Sequence, residues 1–126
     1  MKTILVIEDY SNVRQHLCKA LQDKGYQTLS AASFLEAYEM LWYYAGDINL
    51  VLSDVDLIDI HGFDLLKNIK SDPCLSAIPV ALWTNKNRPA KRENISITQR
   101  AFRNEKFFKE IDHAMSVKGC MINLDS

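Results

Sequence analysis

Acidic residues directly follow two apolar runs of this sequence. Glu8 and Asp9 follow the run TILVI, whereas Asp54 and Asp56 come after LVLS. If both runs are neighbouring strands of a parallel sheet, their carboxyl ends bring these acids to one edge. Two unit charges about 4 Å apart repel by about 4 kcal/mol at an effective dielectric constant of about 20. The pattern therefore predicts either a well-hydrated loop or a site that binds a cation.

The ligand chemistry of such a site narrows the choice of cation. Oxygen ligands at a hydrated edge favour a hard ion, and magnesium typically uses one or two carboxylates, several waters and a phosphate oxygen. A carboxylate can also accept a phosphoryl group itself, as an aspartyl phosphate. The acids thus indicate magnesium-dependent phosphoryl chemistry.

Apolar runs alternate with helical patterns along the chain. We predict strands at Thr3–Ile7, 26–32, 48–54 and 78–84, with a weak fifth strand at 95–98. Repeated alternation of strand and helix is typical of a parallel sheet covered by helices on both faces. The sequence therefore indicates an α/β fold whose ligand site lies at the carboxyl ends of the strands.

The helices between these strands have recognisable ends and inward faces. The first is capped by Ser11 or Asn12 and ends at Gly25, the second is capped by Ser33, and the third covers 63–70. The last helix starts near residue 104, and its predicted buried residues are Phe107, Phe108, Ile111, Ala114 and Met115. The apolar segment 120–126 follows it, and we expect it either to pack back on the domain or to dock a partner.

Length, charge and cysteine content describe an ordinary domain. The chain has 126 residues and a formal net charge of -1, so we expect one domain over residues 1–126 and no direct binding of nucleic acid. Cys18, Cys74 and Cys120 form no CxxC pair, which favours a reducing compartment. We find no signal peptide and no membrane span, and predict a cytoplasmic protein.

Three motifs occur in a fixed order and at a characteristic spacing. They are ILVIEDY, which contains the acidic pair, LVLSDVDLIDIHG, with Gly62 eight residues after Asp54, and IPVALWTN, which contains Thr84. Thr84 follows Asp54 by 84 − 54 = 30 residues. Together these motifs resemble the receiver domain of bacterial two-component response regulators over nearly the whole chain. The resemblance implies a flavodoxin-like, doubly wound, five-stranded parallel sheet of order 2-1-3-4-5, built as (βα)5. If 95–98 is the fifth strand, the fourth helix is shortened to about 87–94.

The resemblance also implies roles for individual residues. Asp54 would be the phosphoacceptor, and Thr84 would hydrogen-bond the phosphoryl oxygens. Asp9, Asp54 and the backbone carbonyl of Asp56 would bind Mg2+ directly, with Glu8 acting mainly through water. The phosphodonor would be a sensor histidine kinase or a phosphotransfer protein. Output would pass to a downstream effector protein, with a homodimer also possible, and the only catalysis would be of the domain's own phosphorylation and dephosphorylation.

The usual lysine at the end of strand five has no obvious counterpart here. If 95–98 is the fifth strand, Arg100 replaces this lysine, whereas counting from Thr84 leads to Lys106. An arginine is bulkier and binds phosphate as a planar fork, so the two are not interchangeable. We favour Arg100, because RAFRNE carries too many charges for a buried strand, and keep Lys106 as the alternative. We further hypothesise that Lys86 pairs with Asp56 across the mouth of the site and hinders the attacking water.

Two other functions compete with the phosphoacceptor hypothesis. A receiver-like interaction module that signals without phosphorylation is favoured by the missing lysine and the short fourth helix. A small magnesium-dependent phosphohydrolase would use the same acids, but the sequence offers it no evident general acid or base and no substrate pocket.

Overall fold

The computed structural model describes residues 1–84 and 105–125, which contain one parallel sheet. Its strands are β1 (Thr3–Ile7), β2 (Gln27–Ala31), β3 (Leu50–Asp54), β4 (Val80–Thr84) and β5 (Met121–Asp125). The strand order is β2-β1-β3-β4-β5, and all four neighbouring pairs run parallel. This confirms the predicted flavodoxin-like sheet and its order.

In the described part of the chain, four helices cover the two faces of this sheet. They are α1 (Ser11–Asp23), α2 (Phe34–Tyr43), α3 (Gly62–Ser71) and α4 (Glu105–Met115). The inner faces of α1 and α4 pack in one hydrophobic cluster, and those of α2 and α3 pack in a second cluster. The doubly wound arrangement is thereby confirmed, and it brings the carboxyl ends of β1, β3 and β4 to the same edge.

The two clusters explain why the central strands are continuous apolar runs. In β1, Ile4 and Val6 belong to the cluster under α1, whereas Leu5 and Ile7 belong to the cluster under α2. Successive side chains of a strand point to opposite faces, and here both faces are covered. Each position therefore has to be apolar until the strand reaches the carboxyl edge, where the acids begin.

The helix ends agree with the sequence in part. Ser33 caps α2 as predicted, because its side chain accepts a hydrogen bond of 3.2 Å from the backbone N–H of Glu36. The α1 prediction was wrong by a residue: the cap is Tyr10, which makes no side-chain capping bond, and Ser11 is already helical. Gly25 follows α1 with φ of 95°, a left-handed conformation that glycine adopts without strain.

The fifth strand is formed by the segment after the last helix. The predicted strand at 95–98 and the short helix at 87–94 lie outside the described residues. Beside β4 the structure has β5, in which Leu82 pairs with Asn123 and Trp83 with Leu124. Leu124 is fully buried and Met121 is exposed, an alternation that one covered face imposes on an edge strand. The described part of the C-terminal segment, residues 120–125, therefore packs back on the domain.

Lys70 connects α3 to the starts of β4 and β5. Its ammonium group donates hydrogen bonds to the carbonyls of Ser76, Ile78 and Gly119, at 3.1, 3.0 and 3.0 Å. Burial lowers the pKa of this ammonium group. Gly119 has φ of 68°, and its N–H donates to the carbonyl of Ala77. These contacts hold the turn from which β5 starts.

Replacing Lys70 by methionine tests this connection. We expect the free energy of unfolding to fall by about 2–3 kcal/mol. The three carbonyls would lose their hydrogen-bond donor, and water would replace it only in part because the site is partly buried. Urea unfolding of Lys70→Met against Lys67→Met, an exposed lysine of the same helix, measures the difference. Equal stability of the two variants would show that the three bonds contribute nothing.

Candidate functional site

Three carboxylates converge at the carboxyl edge of β1 and β3. The two strands are paired, with Ile7 opposite Ser53, so the residues that follow them are neighbours. One carboxylate oxygen from each of Glu8, Asp9 and Asp54 lies within 4.8 Å of the others. Within residues 1–84 and 105–125 this is the one group of three or more acidic, histidine or cysteine side chains with metal-ligand spacing.

The cluster is mostly withdrawn from solvent. Glu8 and Asp54 are 1% and 2% exposed, while Asp9 is partly exposed. Burial of like charges at this distance is unfavourable unless a cation or bound protons reduce the repulsion. The donors are all oxygen atoms, as magnesium and calcium require. The cluster is therefore of the kind that binds a hard divalent cation, with Asp9 on its solvent side.

Backbone contacts fix the turn between β1 and α1. The N–H of Glu8 extends the sheet by donating to the carbonyl of Ala31 at 3.1 Å. The N–H of Tyr10 donates to Glu8 Oε1 at 3.2 Å, and Arg14 Nη1 donates to the carbonyl of Glu8 at 2.7 Å. Because the chain is held on both sides of Asp9, this acidic pair has a defined position.

Asp54 is held with similar precision between its neighbours. The N–H of Asp56 donates to Asp54 Oδ1 at 3.0 Å, and Ser53 Oγ donates to the carbonyl of Asp54 at 2.9 Å. The next residue, Val55, is still bonded to the sheet through its N–H and the carbonyl of Trp83. The carboxylate is thus presented at the edge with one oxygen already oriented.

The chain after β3 closes into a small hairpin before α3 begins. The N–H of Gly62 donates to the carbonyl of Val55, the N–H of Leu57 donates to that of Ile60, and Asp56 and His61 form an antiparallel bridge. A Cβ atom on Gly62 would lie 2.9 Å from the Cα of Val55. This close approach requires glycine eight residues after Asp54.

Asp59, at the tip of this hairpin, has a structural role that the sequence did not reveal. Its carboxylate accepts hydrogen bonds from the backbone N–H groups of Phe34 and Leu35, at 2.9 and 3.0 Å. It therefore supplies two of the acceptors that the first turn of α2 needs. A local sequence pattern could not predict this cap, because Asp59 is 25 and 24 residues away from the two residues whose N–H groups it binds.

The remaining predicted site residues have different positions. Thr84 ends β4 one strand beyond Asp54, opposite Asp125. Asp56 lies on the rim with its side chain half exposed. Lys106 is exposed in the first turn of α4. Arg100 and Lys86 lie outside the described residues.

Among the described residues no helix is long and apolar enough to cross a bilayer.

The family model of the response regulator receiver domain matches residues 4–116. The chain belongs to this family. It is 38% identical over 93 residues to the chemotaxis protein CheY-3 of Vibrio cholerae, an alignment that covers 73% of this chain and 68% of CheY-3. The family match ends before β5 begins, so the strand at this edge is contributed by residues beyond the matched region.

Known receiver structures share the fold at low sequence identity. The response regulator TrrA of Thermotoga maritima, determined with Mg2+ and BeF, is 23% identical and has a TM-score of 0.69; the match covers 90% of this chain and 99% of TrrA. The signal receiver domain of a histidine kinase from Syntrophus aciditrophicus is 24% identical with a TM-score of 0.71, over 92% and 91% of the two chains. These similarities support the fold assignment.

Family membership defines the general function of this receiver domain. It is a signalling module of two-component systems rather than an enzyme, and receiver domains interact with histidine kinases. The pocket of Glu8, Asp9 and Asp54 is consistent with magnesium-dependent phosphorylation of an aspartate.

Proposed function

We propose that residues 1–126 form a single receiver domain whose Asp54 accepts a phosphoryl group in the presence of Mg2+. The observation that carries this proposal is the convergence of Glu8, Asp9 and a nearly buried Asp54 at one edge of the sheet. A sensor histidine kinase or a phosphotransfer protein would supply the phosphoryl group, and a downstream effector protein would receive the signal. We place this exchange in the cytoplasm without direct contact to nucleic acid, and a homodimer is one possible assembly.

Each residue of the pocket has a proposed task. Asp9, Asp54 and the backbone carbonyl of Asp56 would hold Mg2+ directly, and Glu8 would hold it mainly through water. Bound magnesium would offset the negative charge that the carboxylates and the incoming phosphoryl group bring together. Thr84 would hydrogen-bond the phosphoryl oxygens, a role supported by its place at the end of the strand beside β3.

Phosphoryl transfer to Asp54 depends mainly on the correct position of the carboxylate relative to the phosphorus atom. An oxygen of the Asp54 carboxylate attacks the phosphorus atom, and the bond from phosphorus to the donor's imidazole nitrogen breaks with the electron pair leaving on that nitrogen. The imidazole then takes a proton from solvent, and Asp54 carries an acyl phosphate. The N–H of Asp56 orients the carboxylate beforehand, which lowers the entropy cost of reaching the attacking geometry.

The basic residue that would neutralise the phosphoryl group remains Arg100 or Lys106 in this proposal. Lys106 lies in the first turn of a helix and not at the end of a strand, which favours a second candidate function, a receiver-like interaction module that signals without phosphorylation.

Incubation with acetyl phosphate and magnesium distinguishes these functions. We expect intact-mass measurement to show uptake of a single phosphoryl group, and excess chelator to prevent it. Absence of uptake by the folded protein would favour the phosphorylation-independent module. Continuous release of phosphate from varied esters would instead indicate a phosphohydrolase.

A further inference from the structure

His61 and Asp56 face each other across the hairpin that follows Asp54. His61 Nε2 lies 3.7 Å from Asp56 Oδ1, and the two side chains are 48% and 50% exposed. Their backbones form the antiparallel bridge of the hairpin, so both residues are fixed relative to β3. The pair therefore stands on the rim of the phosphorylation pocket.

The ring of His61 has a defined orientation. It caps α3, because its Nδ1 accepts a hydrogen bond of 3.3 Å from the backbone N–H of Phe63. A backbone amide can only donate, so Nδ1 carries the lone pair and the proton of the neutral ring lies on Nε2. The ring also packs beside that of Phe63, with centroids 5.2 Å apart. Nε2, the ring nitrogen that carries the proton, therefore lies 3.7 Å from Asp56 Oδ1, slightly beyond hydrogen-bonding distance.

Asp56 is placed to influence water at the reacting group. Its backbone nitrogen is 3.0 Å from Asp54 Oδ1, to which it donates a hydrogen bond. The Asp56 side chain therefore branches from the backbone close to the carboxylate that would carry the phosphoryl group. A half-exposed carboxylate at this position can accept a hydrogen bond from a water molecule and orient it. A neighbouring N–H donor competes with water for the same oxygen.

We propose that His61 is a positioning residue that engages the Asp56 carboxylate and so slows hydrolysis of the phosphoryl group on Asp54. The inference rests on the proposed phosphorylation of Asp54 and concerns the lifetime of the product. In the hydrolysis a water oxygen bonds to phosphorus, the bond from phosphorus to the Asp54 oxygen breaks, and the carboxylate is restored. One water proton passes to the released phosphate or to solvent.

The lifetime of the loaded protein tests this role. Wild type, His61→Phe and His61→Gln are loaded with acetyl phosphate and Mg2+, desalted and followed by intact mass. We expect His61→Phe to shorten the half-life by about threefold or more, because the N–H donor is lost. His61→Gln, whose amide reaches a similar position, restores much of the lifetime. His113→Phe, an exposed histidine in the last turn of α4, is the matched control and keeps the wild-type value.

A double-mutant cycle shows whether the effect passes through Asp56. In an Asp56→Ala background, His61→Phe should cause no further change, since the oxygen that His61 engages is gone. The same acceleration in both backgrounds, or a wild-type or longer half-life in His61→Phe, would overturn the inference.

A spectroscopic readout separates this inference from the proposed function. Long-range 1H–15N spectra of the unphosphorylated protein should show the Nε2–H tautomer for His61 and a shift of its resonances in Asp56→Asn. The opposite tautomer would overturn the proposed positioning role. If wild type takes up no phosphoryl group, the proposed function fails first, and the role in product lifetime fails with it. If wild type is loaded normally and His61→Phe decays at the same rate, only the role of His61 fails.

Discussion

Asp54→Asn is expected to abolish phosphoryl uptake from acetyl phosphate in the presence of Mg2+. The asparagine side chain keeps the size of the aspartate but lacks the anionic oxygen that would attack phosphorus. Intact mass after incubation measures the loss, with Asp64→Asn, an exposed acid in the first turn of α3, as the matched control. Uptake that persists in Asp54→Asn at the wild-type level would place the acceptor elsewhere.

The same variant should be more stable than wild type when no magnesium is present. Asp54 is 2% exposed and its carboxylate lies within 4.8 Å of two others, so removing its charge relieves repulsion. We expect the free energy of unfolding to rise by about 1–3 kcal/mol. This gain is smaller than the Coulomb repulsion of two charges about 4 Å apart, because water reaches the partly exposed Asp9 and screens its charge. Added Mg2+ should stabilise wild type more than the variant, which denaturant titrations with and without the ion would measure. This readout also shows that the variant is folded when uptake is lost.

Leu124→Ala is expected to lower the free energy of unfolding by about 2–4 kcal/mol. Leu124 is fully buried in the cluster beneath α1 and α4, so truncation loses apolar burial and leaves a cavity. Urea denaturation of the variant against wild type measures the change. The size of the effect reports directly on whether β5 completes the hydrophobic core.

Met121→Ala is the matched control for this strand. Met121 lies on the same strand but is 57% exposed, so its truncation should change stability by less than about 0.5 kcal/mol. If Leu124→Ala were as mild as Met121→Ala, the segment after α4 would not pack against the sheet in solution.

The main elements of the fold could be predicted because local pattern and tertiary environment agree. Strand β1 was predicted with its observed bounds, since a strand covered on both faces must be an uninterrupted apolar run. The acids after β1 and β3 were predicted to meet because parallel neighbours end at the same edge. The strand order came from the resemblance to receiver domains, and the structure confirms it.

The fifth strand shows the limit of such prediction. Within β5, residues 121–124 alternate between more and less exposed positions, and a pattern over so few residues is a weak local signal. What makes it a strand is pairing with β4 and the turn held by Lys70 and Gly119, contacts made with residues far away in the chain.

The sequence by itself determined that an α/β sheet would carry Glu8, Asp9 and Asp54 to one edge. The apolar periodicity and the positions of the acids can be read locally from the sequence. Because the strands of a parallel sheet run in the same direction, their carboxyl ends, and the acids there, lie at one edge. The tertiary structure alone decided which segment lies beside β4, that Asp59 caps α2, and that His61 faces Asp56. The first two are contacts between segments far apart in the sequence, and the third is a contact across a hairpin. Residue types alone do not specify which of these groups come close together.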